Sequence, residues 1–105
     1  MSEIGEYTLT IHPFEMGTEK GAALKPLEEA SEVYSAWQTM DMWYRAVNPE
    51  PVSETIIMPR RTYLADELAD TIQAACNLAA RYDIDLSAAL RRVEEKNRER
   101  GRYEQ

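Results

Sequence analysis

Two short acidic patterns, each with the spacing of one helical turn, constrain this chain more than any other feature of its sequence. Glu28-Glu29-Ala-Ser-Glu32 and Glu67-Leu-Ala-Asp70 both lie in alanine-rich stretches with helical periodicity. Residues three or four apart are neighbours on a helix surface, so Glu29 and Glu32 share a face, as do Glu67 and Asp70. If the two helices pack side by side, the carboxylates converge and repel one another unless a cation lies between them. Carboxylate oxygens are ligands that suit Mg²⁺ and Mn²⁺, so the spacing predicts a divalent metal site.

The composition narrows the classes of partner. A net charge of −7 argues against a nucleic-acid polymer, which normally meets a basic face. It leaves a nucleotide open, because a metal ion can bridge acidic protein and phosphate. No apolar run approaches the roughly 20 residues of a membrane span, and the acidic N-terminus lacks the basic and apolar regions of a signal peptide. With Cys76 as the lone cysteine, these features predict a cytoplasmic protein that contacts no membrane.

The periodicity predicts an all-α fold with an extended N-terminal segment at residues 1–17 and a helical domain at residues 18–105. The first helix is expected to begin between Thr18 and Pro26. Because proline is best tolerated in a first turn, we expect either a start near Leu24 or a kink there. It should end near residue 47, and the second helix should span about residues 61–82. Three prolines at residues 48–59 predict a loop between them, with a brief ordered piece at 55–58. A tight turn at 83–85 and a cap at Asp85 or Ser87 should begin a third helix that ends near Arg100 and Gly101.

Each helix carries an apolar stripe that is expected to form the core, and the width of these faces predicts surface left over for a partner subunit. Glu29 and Glu32 should lie at the edge of the first stripe, with Glu28 turned further towards solvent. The aromatic side chains of the first helix are expected in the core or at an interface, or stacked on a base. The stripe of the first helix is Leu27, Ala30, Val33, Tyr34, Trp37, Met40 and Tyr44. The stripe of the second helix is Leu64, Leu68, Ile72, Ala75, Ala79 and Tyr82, and that of the third is Leu86, Ala89, Leu90 and Val93.

The third helix carries charged and polar side chains near its C-terminus. Lys96 and Arg100 complement the helix dipole there. Asn97 continues the apolar stripe, so a polar amide faces inward, where it can cap a neighbouring backbone group. His12 is the only histidine, which excludes a di-iron site built on two Glu-x-x-His repeats. The sequence also contains no glycine-rich phosphate loop.

These residues resemble the EExxE…ExxD motif of the MazG-like nucleoside triphosphate pyrophosphohydrolases. The resemblance rests on Lys25-Pro-Leu-Glu28-Glu29-Ala-Ser-Glu32-Val and on Asp66-Glu67-Leu-Ala-Asp70-Thr-Ile. It continues through Asn77-Leu-Ala, Ile84-Asp-Leu and the segment 95–101, and covers roughly residues 20–102.

The resemblance implies a helical bundle completed by assembly into homodimers or homotetramers. It also implies Mg²⁺-dependent cleavage of a nucleoside triphosphate between the α and β phosphates, with Mn²⁺ as an alternative ion. The implied metal ligands are Glu29, Glu32, Glu67 and Asp70. Glu28 is a candidate either for the base that activates the attacking water or for a group that supports the metal ligands. The implied substrate-binding residues are Lys96, Asn97 and Arg100, of which Asn97 would form a hydrogen bond with sugar or phosphate.

Two departures from the family pattern leave the nucleotide open. The usual amphipathic N-terminal helix is not evident in residues 1–17, and the stretch between the acidic motifs is long and rich in proline. A dNTP or a non-standard NTP is the expected substrate. The alternatives are a non-catalytic helical module that binds nucleotide or protein, and a related enzyme that acts on another pyrophosphate such as phosphoribosyl-ATP.

Overall fold

The computed structural model describes residues 5–46 and 54–104, through which three helices run: α1 (Glu19–Ala46), α2 (Glu54–Arg81) and α3 (Leu86–Glu99). No strand occurs within those two ranges, so the all-α prediction is confirmed there. Residues 5–16 precede α1 without helix or strand, as expected for the N-terminal segment. None of the described helices combines the length and the apolar character needed to cross a membrane.

Helix α1 begins at Glu19, within the expected range but earlier than the favoured start near Leu24. Thr18 caps it, since its Oγ1 accepts a hydrogen bond from the backbone amide of Gly21 at 2.9 Å. A Cβ at Gly21 would lie only 2.9 Å from that oxygen, so glycine permits this close approach. Pro26 therefore lies inside the helix rather than in its first turn.

Helix α2 begins at Glu54, about seven residues before the expected start. Residues 54–59 are helical, so the predicted ordered piece at 55–58 is part of α2 and the loop prediction is wrong for the rest of this stretch. Residues 48–53 lie outside the described residues. Pro59 lies near the beginning of α2, where its missing amide removes a single intrahelical bond. Ile57 is buried, so the first turns of α2 are packed against the rest of the chain.

The end of α2 and the bounds of α3 agree with those predicted from the sequence. Asp83 adopts a left-handed backbone conformation (φ 54°) in the turn. Asp85 caps α3 by accepting a hydrogen bond from the amide of Ala88 at 3.0 Å. Gly101, with φ 70°, follows the last turn, and the amide of the next residue donates to the carbonyl of Asn97 at 2.9 Å.

The core lies between α1 and α2 and consists mainly of small side chains. The buried residues are Ala22, Glu29 and Ala36 of α1, and Ile57, Ala74, Asn77 and Ala79 of α2. No large side chain in the described part of the chain is completely buried. The radius of gyration is 17.0 Å, whereas a compact domain of this length has about 13 Å. The chain therefore forms a thin, extended structure.

The predicted core stripe of α1 lies mostly on the surface of this chain, so that prediction is wrong. Leu27 is 68% exposed. Tyr34 and Trp37 are also exposed, and their rings stack with centroids 5.8 Å apart. The face that meets α2 instead runs through the alanines and Glu29, because small side chains allow the two helices to approach closely. On α2, Leu68, Ile72 and Tyr82 of the predicted stripe are likewise exposed, whereas Ala79 is buried.

Helix α3 packs far less closely than the α1–α2 pair and has no buried residue. Leu90 and Val93, predicted to face the core, are exposed. Cys76 is half-buried beside an open apolar groove of about 740 Å³ between the N-terminal segment, α2 and the start of α3. The chain thus leaves apolar surface uncovered on all three helices.

Candidate metal centre

Three of the predicted ligands converge where α1 and α2 pack. Glu29 and Glu32 of α1 and Glu67 of α2 each offer a carboxylate oxygen, and these oxygens all lie within 4.8 Å of one another. The convergence arises because the buried face of α1 includes Glu29 and places Glu32, one turn later, at its rim. Three negative groups thus meet in a partly buried seam, as the two spacings predicted.

Glu29 is the most deeply placed member of the cluster. Only 7% of the residue is exposed, although the sequence placed it at the edge of a stripe rather than at the centre of the packed face. Its Oε2 is buried and has no hydrogen-bond partner, and the same is true of Oε2 of Glu67. Buried carboxylate oxygens without partners are costly, and a cation or a proton is what relieves that cost.

The environment of Glu67 favours its protonated form. Burial, a hydrogen bond with Glu32 and the negative charges of Glu32, Glu29 and Asp70 together raise the pKa of Glu67 to about 7. Burial is the largest of these causes, and every carboxylate nearby acts in the same direction. A site that raises the pKa of a carboxyl group in this way is stabilised by a positive charge nearby.

Asp70 and Glu28 lie at the margin of the cluster. Asp70 is exposed but close enough to raise the pKa of Glu67, and it borders a cavity together with Glu29. The side chain of Glu28 is 61% exposed and lies 3.4 Å from the ammonium of Lys25, which agrees with its predicted orientation towards solvent.

Lys25 also belongs to the site, although it was not among the predicted site residues. Its Nζ lies 3.3 Å from Oε1 of Glu29 and 3.4 Å from Glu28, and these carboxylates raise the pKa of the lysine. The sequence contains an indication of this ion pairing, because Lys25 precedes Glu28 and Glu29 by three and four residues. This is the spacing of ion pairs on a helix.

A cavity of about 230 Å³ adjoins the carboxylates, and the N-terminal segment forms one of its walls. The cavity is lined from α1 by Lys25 and Glu29 and from the N-terminal segment by Phe14 and Met16. Its remaining lining residues, all on α2, are Asp70, Gln73, Ala74 and Asn77.

Hydrogen bonds to α2 hold this segment in place. Gln73 donates to the carbonyl of His12 at 3.1 Å, and Arg81 donates to the carbonyl of Met16 at 3.2 Å. The histidine thus takes part through its backbone. The prediction of an extended N-terminal segment did not indicate that residues 12–16 would lie beside the carboxylates.

The α3 residues predicted to bind substrate are not brought to this cluster by any contact among the described residues. Lys96 and Arg100 are exposed, and Asn97 is half-buried in the last turn of α3. Their predicted contact with phosphate therefore stays a prediction.

The donor set fits a hard divalent cation. Mg²⁺ lies about 2.1 Å from its oxygen ligands in an octahedron, so adjacent ligand oxygens are about 3 Å apart and opposite ones about 4.2 Å. The three carboxylate oxygens lie within 4.8 Å of one another, which is close to the largest of these separations. The residues that would hold the ion are Glu29, Glu32 and Glu67, with Asp70 adjacent.

Comparison of the chain with protein-family models, curated proteins and solved structures gives no match.

Proposed function

We propose that this protein is a Mg²⁺-dependent nucleoside triphosphate pyrophosphohydrolase of the MazG-like kind, which cleaves its substrate between the α and β phosphates. The observation that carries the proposal is the meeting of Glu29, Glu32 and Glu67 within 4.8 Å, with a buried oxygen of Glu29 and one of Glu67 left without a partner. The resemblance of both acidic motifs to that family supplies the reaction. A dNTP or a non-standard NTP is the expected substrate.

The chain's own groups account for binding and for proton transfer. Mg²⁺, when bound, would neutralise phosphate charge and lower the pKa of the attacking water. Glu29, Glu32, Glu67 and Asp70 would hold the ion. Glu28, at the exposed margin of the cluster, is the proposed base that accepts the proton of the attacking water.

The proposal includes assembly into a homodimer or homotetramer in the cytoplasm. Large apolar side chains are exposed on all three helices, and the accessible area of 8726 Å² exceeds the value of about 6,000 Å² typical of a compact monomer of this mass. A second copy is an economical cover for such surface. We propose that Lys96, Asn97 and Arg100 of α3 contribute to substrate binding in that assembly.

A panel of NTPs and dNTPs, assayed with Mg²⁺ for pyrophosphate and for orthophosphate, tests the proposal. We expect pyrophosphate and nucleoside monophosphate in equal amounts from at least one member. Orthophosphate release would contradict the proposed bond. Nucleotide binding without turnover would favour the non-catalytic module. In a parallel assay with phosphoribosyl-ATP, cleavage of that compound and of no member of the panel would favour the related enzyme.

A further inference from the structure

Lys25 occupies the position of a counter-ion to the carboxylate cluster. Its ammonium lies 3.3 Å from Glu29 and 3.4 Å from Glu28, and among the described ion pairs it is the cation that reaches a member of the cluster. It meets Oε1 of Glu29, so the buried Oε2 of the same carboxylate stays without a partner. One positive charge at the rim thus leaves several negative charges only partly compensated.

The same lysine also borders the cavity beside the cluster. Lys25 and Glu29 line it from α1, and Asp70, Gln73 and Asn77 line it from α2. A lysine side chain is a flexible stem that carries three donors, so its ammonium can turn between a carboxylate and the cavity without a change in the backbone. The Lys25 side chain is partly exposed, which leaves it room to turn.

A divalent cation at Glu29 and an ammonium at Glu29 compete for the same negative charge. The two positive groups repel each other, and a divalent ion that also binds Glu32 and Glu67 is held more strongly than the ammonium. We propose that Lys25 is an exchangeable counter-ion: the divalent cation displaces its ammonium from Glu29, and the freed ammonium binds a phosphate group of the substrate in the adjoining cavity. This inference rests on the proposed metal site.

The exchange determines the order of binding. Without the ion, the cavity is bordered by carboxylates and by a lysine that is already neutralised, so it repels a polyphosphate. With the ion bound, the ammonium and the metal both present positive charge to the cavity. Phosphate therefore binds the metal-loaded protein in preference to the metal-free protein.

Replacing Lys25 by methionine tests the exchange, since methionine keeps most of the apolar stem and removes the charge. By calorimetry, K25M should bind Mn²⁺ about threefold to tenfold more tightly than the wild type, because a competing positive charge is gone. In saturating Mg²⁺ it should bind inorganic pyrophosphate about tenfold more weakly, because a charged donor is lost. K20M removes the same charge from the exposed first turn of α1 and should change neither affinity by more than about twofold.

A measurement on the unaltered protein avoids dependence on variants that fold poorly. The lysines of the chain are Lys20, Lys25 and Lys96, so their acetylation by dilute acetic anhydride can be compared by mass spectrometry. Without metal, Lys25 should react most slowly, because its ammonium is paired. Mg²⁺ should increase its rate relative to Lys20, and pyrophosphate added in excess Mg²⁺ should reduce it again.

The outcomes separate this inference from the proposed function. If the wild type binds no Mn²⁺, the proposed metal site and the exchange both fail. If it binds Mn²⁺ but K25M has wild-type affinities for Mn²⁺ and pyrophosphate, or Mg²⁺ leaves the acetylation of Lys25 unchanged, the exchange alone is overturned.

Discussion

Phe14 and Asn77, 63 positions apart in the chain, are joined by a hydrogen bond in which the backbone amide of Phe14 donates to Oδ1 of Asn77 at 2.9 Å. The same oxygen accepts from Gln73, whereas Nδ2 of Asn77 has the thioether of Met16, 3.8 Å away, as its partner. Asn77 is only 4% exposed. This one amide therefore connects the N-terminal segment to α2 and closes the cavity beside the carboxylates.

Replacing Asn77 by alanine should release that segment. The part-buried hydrogen bond from the Phe14 amide would be lost, so we expect the free energy of unfolding to fall by about 0.5–1.5 kcal/mol. Hydrogen exchange at the amide of Phe14 should become faster, while exchange within α3 stays unchanged. N97A, a change of the same type in the last turn of α3, is the control and should leave the Phe14 amide protected. Unaltered exchange at Phe14 in N77A would show that the bond does not hold the segment.

Several local features could be predicted from sequence, because each depends on residues within a few positions. They are the shared helix face of each acidic pair, the turn at Asp83, the cap at Asp85 and the glycine at the end of α3. The phase of α1 could not. Leu27 and Trp37 make one face the most apolar, yet the face that meets α2 carries small residues and Glu29. Hydrophobicity identifies the faces that avoid water, and it does not tell which of them is covered within one chain.

The two prolines inside helices show a second limit of local rules. A first turn or a kink was expected at Pro26 and a loop at Pro59, and both prolines lie within a helix. A strong cap at Thr18 and burial of Ile57 extend the helices beyond the prolines. Proline penalties are local, whereas caps and packing add up along a long helix pair, so tertiary structure determines the boundaries.

We expect the protein in solution to be an oligomer that buries the stacked rings of Tyr34 and Trp37. Light scattering at micromolar concentration should give at least twice the chain mass of 12.1 kDa. W37E should reduce that mass, because a charge buried at an apolar interface is costly. Q38E adds the same charge at the next exposed position of α1 and should not. A wild-type monomer would contradict this prediction and weaken the proposed family assignment.

The stability of the metal-free protein should fall as the pH rises towards neutrality. The pKa of Glu67 is raised from 4.5 to about 7 in the folded state, so between these values the folded protein binds more protons than the unfolded one. Stability then decreases with pH across this window and loses its dependence on Glu67 above it. Urea unfolding between pH 5 and 8 measures the slope. E67Q should flatten it, and an equal slope in E67Q would assign the effect to other groups.

Divalent metal should stabilise the fold. Binding to the native state alone adds RT ln(1 + [L]/Kd), about 2.7 kcal/mol at a hundredfold excess of ion over Kd. Thermal melts in millimolar Mg²⁺ or Mn²⁺ should therefore lie several degrees above melts in EDTA. The shift should be largest near pH 8, where no proton competes for Glu67. Identical melts, with no binding heat for either ion, would count heavily against the site.

The variants E29Q and E67Q separate a metal site from a structural ion pair. Glutamine keeps the volume and the hydrogen-bonding capacity of glutamate and removes one negative charge from the cluster. If the cluster binds metal, each change relieves repulsion, so the metal-free variants should be as stable as the wild type or more stable at pH 8. Hydrolysis should fall by orders of magnitude, since each lost ligand weakens ion binding and misplaces the attacking water.

E95Q, on the exposed surface of α3, controls for the charge change and should keep wild-type stability and rate. Wild-type hydrolysis by both cluster variants, or lower stability of both without metal, would show that these carboxylates serve packing rather than catalysis.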